Sequence, residues 1–411
     1  MSSTADIANI QSKTVKTLAI AQVLNGIGTS GTVAAGSLLV TSITHTEKYA
    51  GIAQTFAVLG AAVLALPLAT LTSNGGRRSA LRFGLTAGTL GSVLAITGGA
   101  TAILPLMLLG NFFVGSASAA GYQARFAAID LSSDEHKARH LSYVVWGSTV
   151  GAVTGPNLMQ PAGGIAEYFG LPRLVGPYMI SVVAFFASVL VITFFLKPDP
   201  YLLSIQRRET GEKPVKAKTK VVIAHIKENA LAKFAVATVA IGHVVMVSIM
   251  VMTPVHMAHV DVTLKVIGFV ISIHVIGMYA FSPLVGNLSD KIGKLRTIQI
   301  GLVILFASAV VSAQAHANDI PMMGIGLFLL GLGWSFTLVA GSTLLSTSVA
   351  PEMKTGAQGT SDLIMNMSAA IGGALAGVVI AELSYAWLCA ISMVPVLAIA
   401  SWSLRFKSTL R

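Results

Sequence analysis

Two pairs of sulfur- and nitrogen-bearing side chains stand four residues apart in apolar segments of this sequence. Met246 and Met250 form one pair, and His274 and Met278 form the other. Residues four apart lie on the same face of an α-helix, so each pair presents two ligand atoms in one direction. Thioether sulfur and imidazole nitrogen form a soft ligand set, which favours Cu(I) over Mg, Ca or Mn. The four residues together predict a copper site.

The two segments that carry these pairs are long enough to cross a membrane and are joined by a short connection. Antiparallel helices would then place both pairs roughly 10–20 Å below the outer helix ends, at ~1.5 Å per residue. Neutral thioethers add no charge, so such a site avoids much of the cost of burial. The alternative is packing, because methionine fills gaps between helices and a buried imidazole can bond a backbone carbonyl.

Other polar side chains could assist transport. His243 lies on the same helix face as the first pair and could serve as a proton-linked neighbour or as an inner relay ligand. His256 and His259 could capture copper at the outer mouth of that helix, or form an exposed interfacial cluster. Asp362 could couple protons or hold the end of the eleventh span against a basic loop. Arg125 and Asp130 predict a structural charge pair.

The composition fixes the surroundings of these residues. Of 411 residues, 54% are hydrophobic and only 10% are charged, whereas soluble proteins carry roughly 25% charged residues. Charge this scarce indicates a chain that lies mostly in lipid. The net charge of +11 lacks the aromatic-interleaved basic face of a nucleic-acid-binding protein. Cys389 stands alone, and neither a P-loop nor a zinc-protease helix is present, so we predict no enzyme and no permanently bound cofactor.

Hydropathy predicts an all-α membrane protein with twelve transmembrane helices in two six-helix bundles. The spans run near 17–40, 50–72, 83–103, 105–128, 141–163, 175–196, 230–257, 265–286, 297–316, 321–346, 357–381 and 385–404. The bundles cover 1–196 and 229–411, and a basic cytoplasmic linker covers 197–228. With both termini in the cytoplasm, only Lys48, Arg173 and Lys265 of the 27 Lys and Arg residues face outward, as the positive-inside rule requires.

One segment appears in both halves. Aligning Gly76 with Gly293 aligns the residues after the second span with those after the eighth. The segment Gly286-x-Leu-Ser-Asp290-Lys-x-Gly293-Lys-x-Arg296 resembles the signature loop of the major facilitator superfamily. The resemblance implies the major facilitator fold, with a parallel repeat and a substrate site between halves. It also implies a cytoplasmic gate in which Asp290 and basic residues latch neighbouring helix ends.

The first copy of this segment departs from the pattern, because Ser73 and Asn74 replace its Asp and Arg. We therefore expect only the second copy to latch fully. The alternative for Asp290 is a helix cap on a solvated loop.

The Met246-x-x-x-Met250 and His274-x-x-x-Met278 pattern on consecutive helices resembles that of the CcoA-like copper importers. The resemblance implies that these four residues bind copper as the transported substrate in the bacterial cytoplasmic (inner) membrane. It further implies delivery to a copper-accepting protein for haem–copper oxidase assembly. Relatives without the pattern carry other solutes, including riboflavin.

Two other functions remain open. One is proton-coupled transport of an organic solute, by drug efflux or vitamin uptake, with Asp362 as the essential residue. Gly147, Gly151 and Gly155 resemble the fifth-helix motif of drug antiporters, but Asn111 occupies the place of the antiporters' arginine. The other is a membrane sensor or assembly factor that binds copper without moving it.

Overall fold

The computed structural model describes residues 4–45, 49, 51–207, 219–258 and 264–406, which form α-helices joined by short connections. The helices are α1 (Thr4–Thr44), α2 (Ile52–Ala100), α3 (Leu104–Ala127), α4 (Lys137–Asn157), α5 (Met159–Tyr168), α6 (Gly176–Phe195), α7 (Pro200–Gln206), α8 (Thr219–Glu228), α9 (Ala230–Ala258), α10 (Leu264–Tyr279), α11 (Ser282–Ile292), α12 (Lys294–Gln314), α13 (Ile320–Ser348), α14 (Lys354–Glu382) and α15 (Tyr385–Ser403). Short 3₁₀ helices cover Asp134–His136 and Arg173–Val175.

Within the described residues, ten helical segments are long and apolar enough to cross a membrane. One of them, Ile52–Ala100, contains both the second and the third predicted spans. The predicted fifth span, 141–163, is not among the ten, because the chain there forms α4 and α5, two helices that meet at Leu158. With both parts of α2 and this broken fifth span counted, the chain has the twelve transmembrane helices that its sequence predicts.

The eighth predicted span, 265–286, differs from the structure in its middle and at its end. α10 stops at Tyr279, and the chain resumes helix at Ser282 and continues to Ile292. Pro283 lies in the first turn of α11. Proline has no N–H to donate to the preceding turn, and its ring clashes with the carbonyl four residues earlier, so one straight helix cannot run through this position.

The two copies of the repeated segment share an unusual backbone conformation. Gly76 has φ 84° and ψ 173° inside α2, and Gly293 has φ 92° and ψ 152° between α11 and α12. Only glycine occupies this region without strain. A Cβ at Gly76 would also meet the carboxylate of Asp199. The same turn after the second and the eighth spans supports the parallel repeat.

Contacts divide the chain into two compact units. Unit 1 comprises residues 1–132, 147–217 and 351–363, and unit 2 comprises residues 133–146, 218–350 and 364–411. The beginning of α4 therefore belongs to unit 2, and the beginning of α14 belongs to unit 1. The predicted division into 1–196, 197–228 and 229–411 stays a prediction, with helices α7 and α8 inside the proposed linker.

Substituting Gly293 tests the turn. Gly293→Ala places a Cβ in a region of backbone conformation that costs ~1–3 kcal/mol for other residues. We expect a lower melting temperature for the detergent-solubilised protein.

Gly377→Ala is the matched control, because Gly377 lies in α14 with open space beside its Cα. We expect that variant to melt with the wild type. Equal melting temperatures for Gly293→Ala and the wild type would contradict the turn conformation described above.

Candidate metal site and buried ion pairs

Helix α13 connects the two helices that carry the predicted copper ligands. α9 and α10 each pack against α13 more extensively than against each other. The helix of Met246 and Met250 and the helix of His274 and Met278 are therefore held mainly by their separate contacts with α13, and only slightly by contacts with each other.

His274 is fully buried between α10 and α13. Its Nδ1 lies 2.8 Å from the backbone oxygen of Leu327. A carbonyl oxygen only accepts hydrogen bonds, so Nδ1 carries the proton of a neutral ring and Nε2 keeps its lone pair. Nε2 is buried and has no hydrogen-bond partner among the described residues. Metal-binding histidines are typically held in this way, with one nitrogen donating to a carbonyl and the other facing the ion.

Met278 follows His274 by one helical turn and is also buried. Both residues lie where α10 comes closest to α13, at Gly331. A Cβ at Gly331 would overlap the backbone oxygen of His274 and would lie 3.1 Å from Cγ of Met278. Because Gly331 has no side chain, α10 and α13 can approach closely at this point. The close contact fixes the positions of His274 and Met278.

Met246 and Met250 lie on the same helix as His243, whose hydrogen bonding differs from that of His274. Met246 is buried and Met250 is partly exposed. Nδ1 of His243 accepts a 2.9 Å hydrogen bond from Nε1 of Trp334. Because an indole nitrogen only donates, the lone pair of Nδ1 is occupied and a neutral ring carries its proton on Nε2. In this conformation His243 offers a metal no lone pair, and its predicted role as a proton-linked neighbour or an inner relay ligand stays a prediction.

The predicted outer cluster is only partly within the described residues. The imidazole of His256 stacks on the ring of Tyr385, with centroids 4.3 Å apart and planes at 7°. The hydroxyl of Tyr385 lies 2.9 Å from that of Thr253. His256 is therefore packed against α15, and His259 lies outside the described residues.

Histidine, cysteine and carboxylate side chains do not supply a complete metal site by themselves. Across the part of the chain that the structure describes, no three or more of them are grouped so as to hold a metal ion. The side chain that could join His274 in holding an ion is Met278, one turn along α10, and a set of thioether sulfur and imidazole nitrogen favours soft ions.

The predicted gate residue Asp290 bonds the beginning of α4. Its carboxylate accepts hydrogen bonds from the backbone N–H groups of Ala138, at 3.0 Å, and Arg139, at 2.9 Å. These N–H groups have no partner within α4, and the helix dipole favours a negative charge there. Asp290 thus caps the first turn of α4, another helix of unit 2, and its role in a cytoplasmic gate stays a prediction.

The other gate residues lie beside this contact. Gly286 of α11 packs against Ser142 of α4, where a Cβ would overlap its side chain. Gly293 and Arg296 line a cavity of about 530 Å³ in unit 2, together with Asp290.

Two buried ion pairs in unit 1 correct one prediction. Arg125 does not pair with Asp130. Its Nη2 lies 2.5 Å from Oδ1 of Asp362, and Asp130 instead accepts from Nε of Arg77 at 2.7 Å. Gln123 joins the pairs, because its amide nitrogen donates to Asp362 at 2.9 Å and its oxygen accepts from Arg77 at 3.0 Å. The arginines and carboxylates are at most 2% exposed.

The beginning of α14 is held by this network at two further points. Arg77 donates to Oε1 of Gln358 at 2.7 Å, and Nζ of Lys354 lies 3.8 Å from Asp130. Sequence reasoning missed Arg77, Gln123 and Gln358 as members of one group. Each of them is a polar side chain inside or beside an apolar span, and that pattern could have marked it as a residue with a buried partner. The sequence could not show which partner, because the residues that pair are up to 281 positions apart.

Comparisons with known proteins agree with this architecture. A family model described as the Major Facilitator Superfamily matches residues 18–264 and 234–409. The chain is 33% identical over 377 residues to the uncharacterized MFS-type transporter YddS of Bacillus subtilis (strain 168), covering 91% of this chain and 86% of that protein. It is 25% identical over 366 residues to the riboflavin transporter RfnT of Brucella anthropi, covering 88% and 87%.

The fold is also similar to that of a solved structure. The human organic anion transporter MFSD10 (TETRAN) superposes with a TM-score of 0.71 at 14% identity, over 96% of this chain and 99% of that one.

Removing one charge tests the Arg125–Asp362 pair. Asp362→Ala leaves a buried guanidinium without its counter-charge, which typically costs ~3–5 kcal/mol. We expect a large fall in the melting temperature of the detergent-solubilised protein.

The double variant Arg125→Met/Asp362→Leu removes both charges and serves as the control. We expect it to recover most of the lost stability, because apolar side chains of similar volume replace a buried pair at little cost. The pair would be disproved if Asp362→Ala melted at the wild-type temperature.

Proposed function

The chain belongs to the Major Facilitator Superfamily and is a membrane transporter, and on that premise we propose that it imports copper by alternating access. The proposed ligands are Nε2 of His274 and the sulfur atoms of Met246, Met250 and Met278. In this proposal the membrane is the cytoplasmic membrane of a bacterium, with both termini in the cytoplasm.

The observation that carries the proposal is the state of His274. Its Nδ1 is held by the carbonyl of Leu327, and its buried Nε2 has no hydrogen-bond partner in the part of the chain that the structure describes. An unpaired polar atom in a buried position costs free energy. A bound metal ion would offset that cost, and the thioether of Met278 one turn away makes a soft ion the best match.

The proposal also assigns roles to the methionines of α9 and to Asp290. Met246 and Met250 add sulfur from α9, on the other helix that packs against α13. Copper shifts the transporter between its conformations only to the extent that the site binds it better in one of them. The contact of Asp290 with α4 closes the cytoplasmic end, and its opening releases the ion to a copper-accepting protein that supplies haem–copper oxidase assembly.

Copper uptake by cells that lack their own importer tests the proposal. His274→Asn is the sharpest variant, because an asparagine amide can keep a hydrogen bond to Leu327 while the Nε2 ligand is lost. We expect copper accumulation to fall at least about tenfold, to the level of cells with an empty vector, at matched membrane abundance.

Met246→Leu and Met278→Leu remove one sulfur each while conserving volume, and we expect each to reduce uptake strongly. Met323→Leu is the matched control, because Met323 is a fully buried methionine of α13 outside the proposed ligand set, and it should transport normally. Equal copper content in the wild type, all variants and the empty-vector cells would overturn copper import. Binding of copper without uptake into sealed vesicles would instead identify a sensor or assembly factor.

Transport of an organic solute is the second candidate. Its support is the 25% identity to a riboflavin transporter, together with the buried carboxylate of Asp362, which a proton could neutralise. Uptake of labelled riboflavin by a riboflavin-requiring strain tests it. Under this candidate the wild type and His274→Asn both restore uptake, and Asp362→Asn does not. Failure of the wild type to restore uptake would remove riboflavin as the substrate.

A further inference from the structure

Four exposed basic side chains lie near the junction of α8 with α9 and near the end of α15, in unit 2. They are Lys220 and Lys227 of α8, Lys233 in the first turn of α9, and Arg405 just after α15. Among the described residues none of the four forms an ion pair. α8 itself carries one carboxylate, that of Glu228. These four residues, called the basic patch below, therefore hold an excess of positive charge.

The basic patch lies at the level where two membrane helices meet water. α9 begins and α15 ends there, and both are long and apolar enough to cross a membrane. The ring of Phe234 packs against those of Trp402 and Phe406, with centroids 5.5 and 5.1 Å apart. Tryptophan is enriched at the depth of the lipid headgroups. Lys233 and Arg405 are the sequence neighbours of Phe234 and Phe406, so their charges lie at headgroup depth.

α8 is held against unit 2 at this same level. The amide nitrogen of Asn229 donates to the backbone oxygen of Ser348 at 2.7 Å, and its side-chain oxygen accepts from the N–H of Ala232 at 3.0 Å. Val222 and Ile226 are buried, so one face of α8 packs against protein. The opposite face is exposed at the beginning of a membrane helix.

The exposed face of α8 combines apolar and basic side chains. Lys220 and Lys227 are seven residues apart and therefore share one helix face. Ile223 lies between them and is 37% exposed, and Val221 is 47% exposed. A short helix with basic side chains beside exposed apolar ones is typical of helices that lie in the membrane interface. Lysine stems can lie along lipid while the ammonium groups reach the phosphates.

We propose that the basic patch binds the phosphate groups of anionic phospholipids in the membrane leaflet on this side. Lys and Arg side chains near an anionic leaflet are attracted to it, and the guanidinium of Arg405 can bind two phosphate oxygens at once. The contact fixes α8, which lies in the predicted linker between the bundles, at the membrane surface. This inference rests on the chain being a membrane transporter and does not depend on copper.

Titration of phospholipid into micelles of the purified, detergent-solubilised full chain, freed of any affinity tag, tests the patch. Native mass spectrometry counts the bound lipids, and the melting temperature reports stability. We expect dioleoylphosphatidylglycerol to bind and to raise the melting temperature, and dioleoylphosphatidylcholine to do so much less. Changing all four residues of the basic patch to Gln should weaken binding of the anionic lipid at least about tenfold and abolish its effect on melting.

The matched control removes four exposed basic side chains from unit 1 and so changes the net charge equally. Its substitutions are Lys13→Gln, Lys16→Gln, Arg82→Gln and Lys197→Gln, and we expect it to keep the response to the anionic lipid. Melting temperatures without added lipid show whether the variants fold, and Lys220→Gln/Lys227→Gln provides a milder variant that should bind the anionic lipid more weakly than the wild type.

Three results would overturn the proposal. The first is an equal response of the wild type to the two lipids. The second is an equal loss of the response in the patch variant and the control, which would assign the effect to net charge. The third is the same rise in melting temperature with inorganic phosphate at equal concentration, which would identify a site for a free anion. The samples contain no copper, so each result is independent of the proposed transport.

Discussion

The lack of water in the membrane interior makes hydrogen bonds within the protein the main source of partners for the buried polar groups of this chain. This constraint accounts for the paired guanidinium groups of Arg77 and Arg125, which meet the carboxylates of Asp130 and Asp362. Nδ1 of His274 is satisfied in the same way by a backbone carbonyl. Nε2 of His274 is one of several buried side-chain atoms without a hydrogen-bond partner among the described residues, and it lies one helical turn from the buried thioether of Met278.

Helix α13 sets the chemistry of two histidines in opposite ways. It presents a carbonyl acceptor to His274 and an indole N–H donor to His243. The acceptor leaves His274 with a free lone pair on Nε2, and the donor occupies the lone pair of His243. Among the described residues, α13 thus leaves a lone pair available on one histidine and occupies that of the other, a difference that depends on which neighbouring group each ring meets.

The sequence predicted the parts of the fold that depend on local pattern. Runs of apolar residues located the membrane helices, and the alignment of Gly76 with Gly293 identified a turn that both halves adopt. It did not predict that Arg125 meets Asp362, because that contact joins residues 237 positions apart and Asp130 offered a nearer partner. The sequence also could not predict which nitrogen of His274 carries the proton, since that depends on a backbone carbonyl of another helix. Sequence spacing selects candidate ligands, but only packing decides which nitrogen is available.

Whether copper is held by nitrogen and sulfur together is the central question for this account. Copper K-edge X-ray absorption on the Cu(I)-loaded, detergent-solubilised protein measures this directly. The account predicts a nitrogen neighbour at ~2.0 Å and sulfur neighbours at ~2.3 Å, with the nitrogen lost in the His274→Asn variant. A spectrum with nitrogen or oxygen neighbours and no sulfur would contradict it.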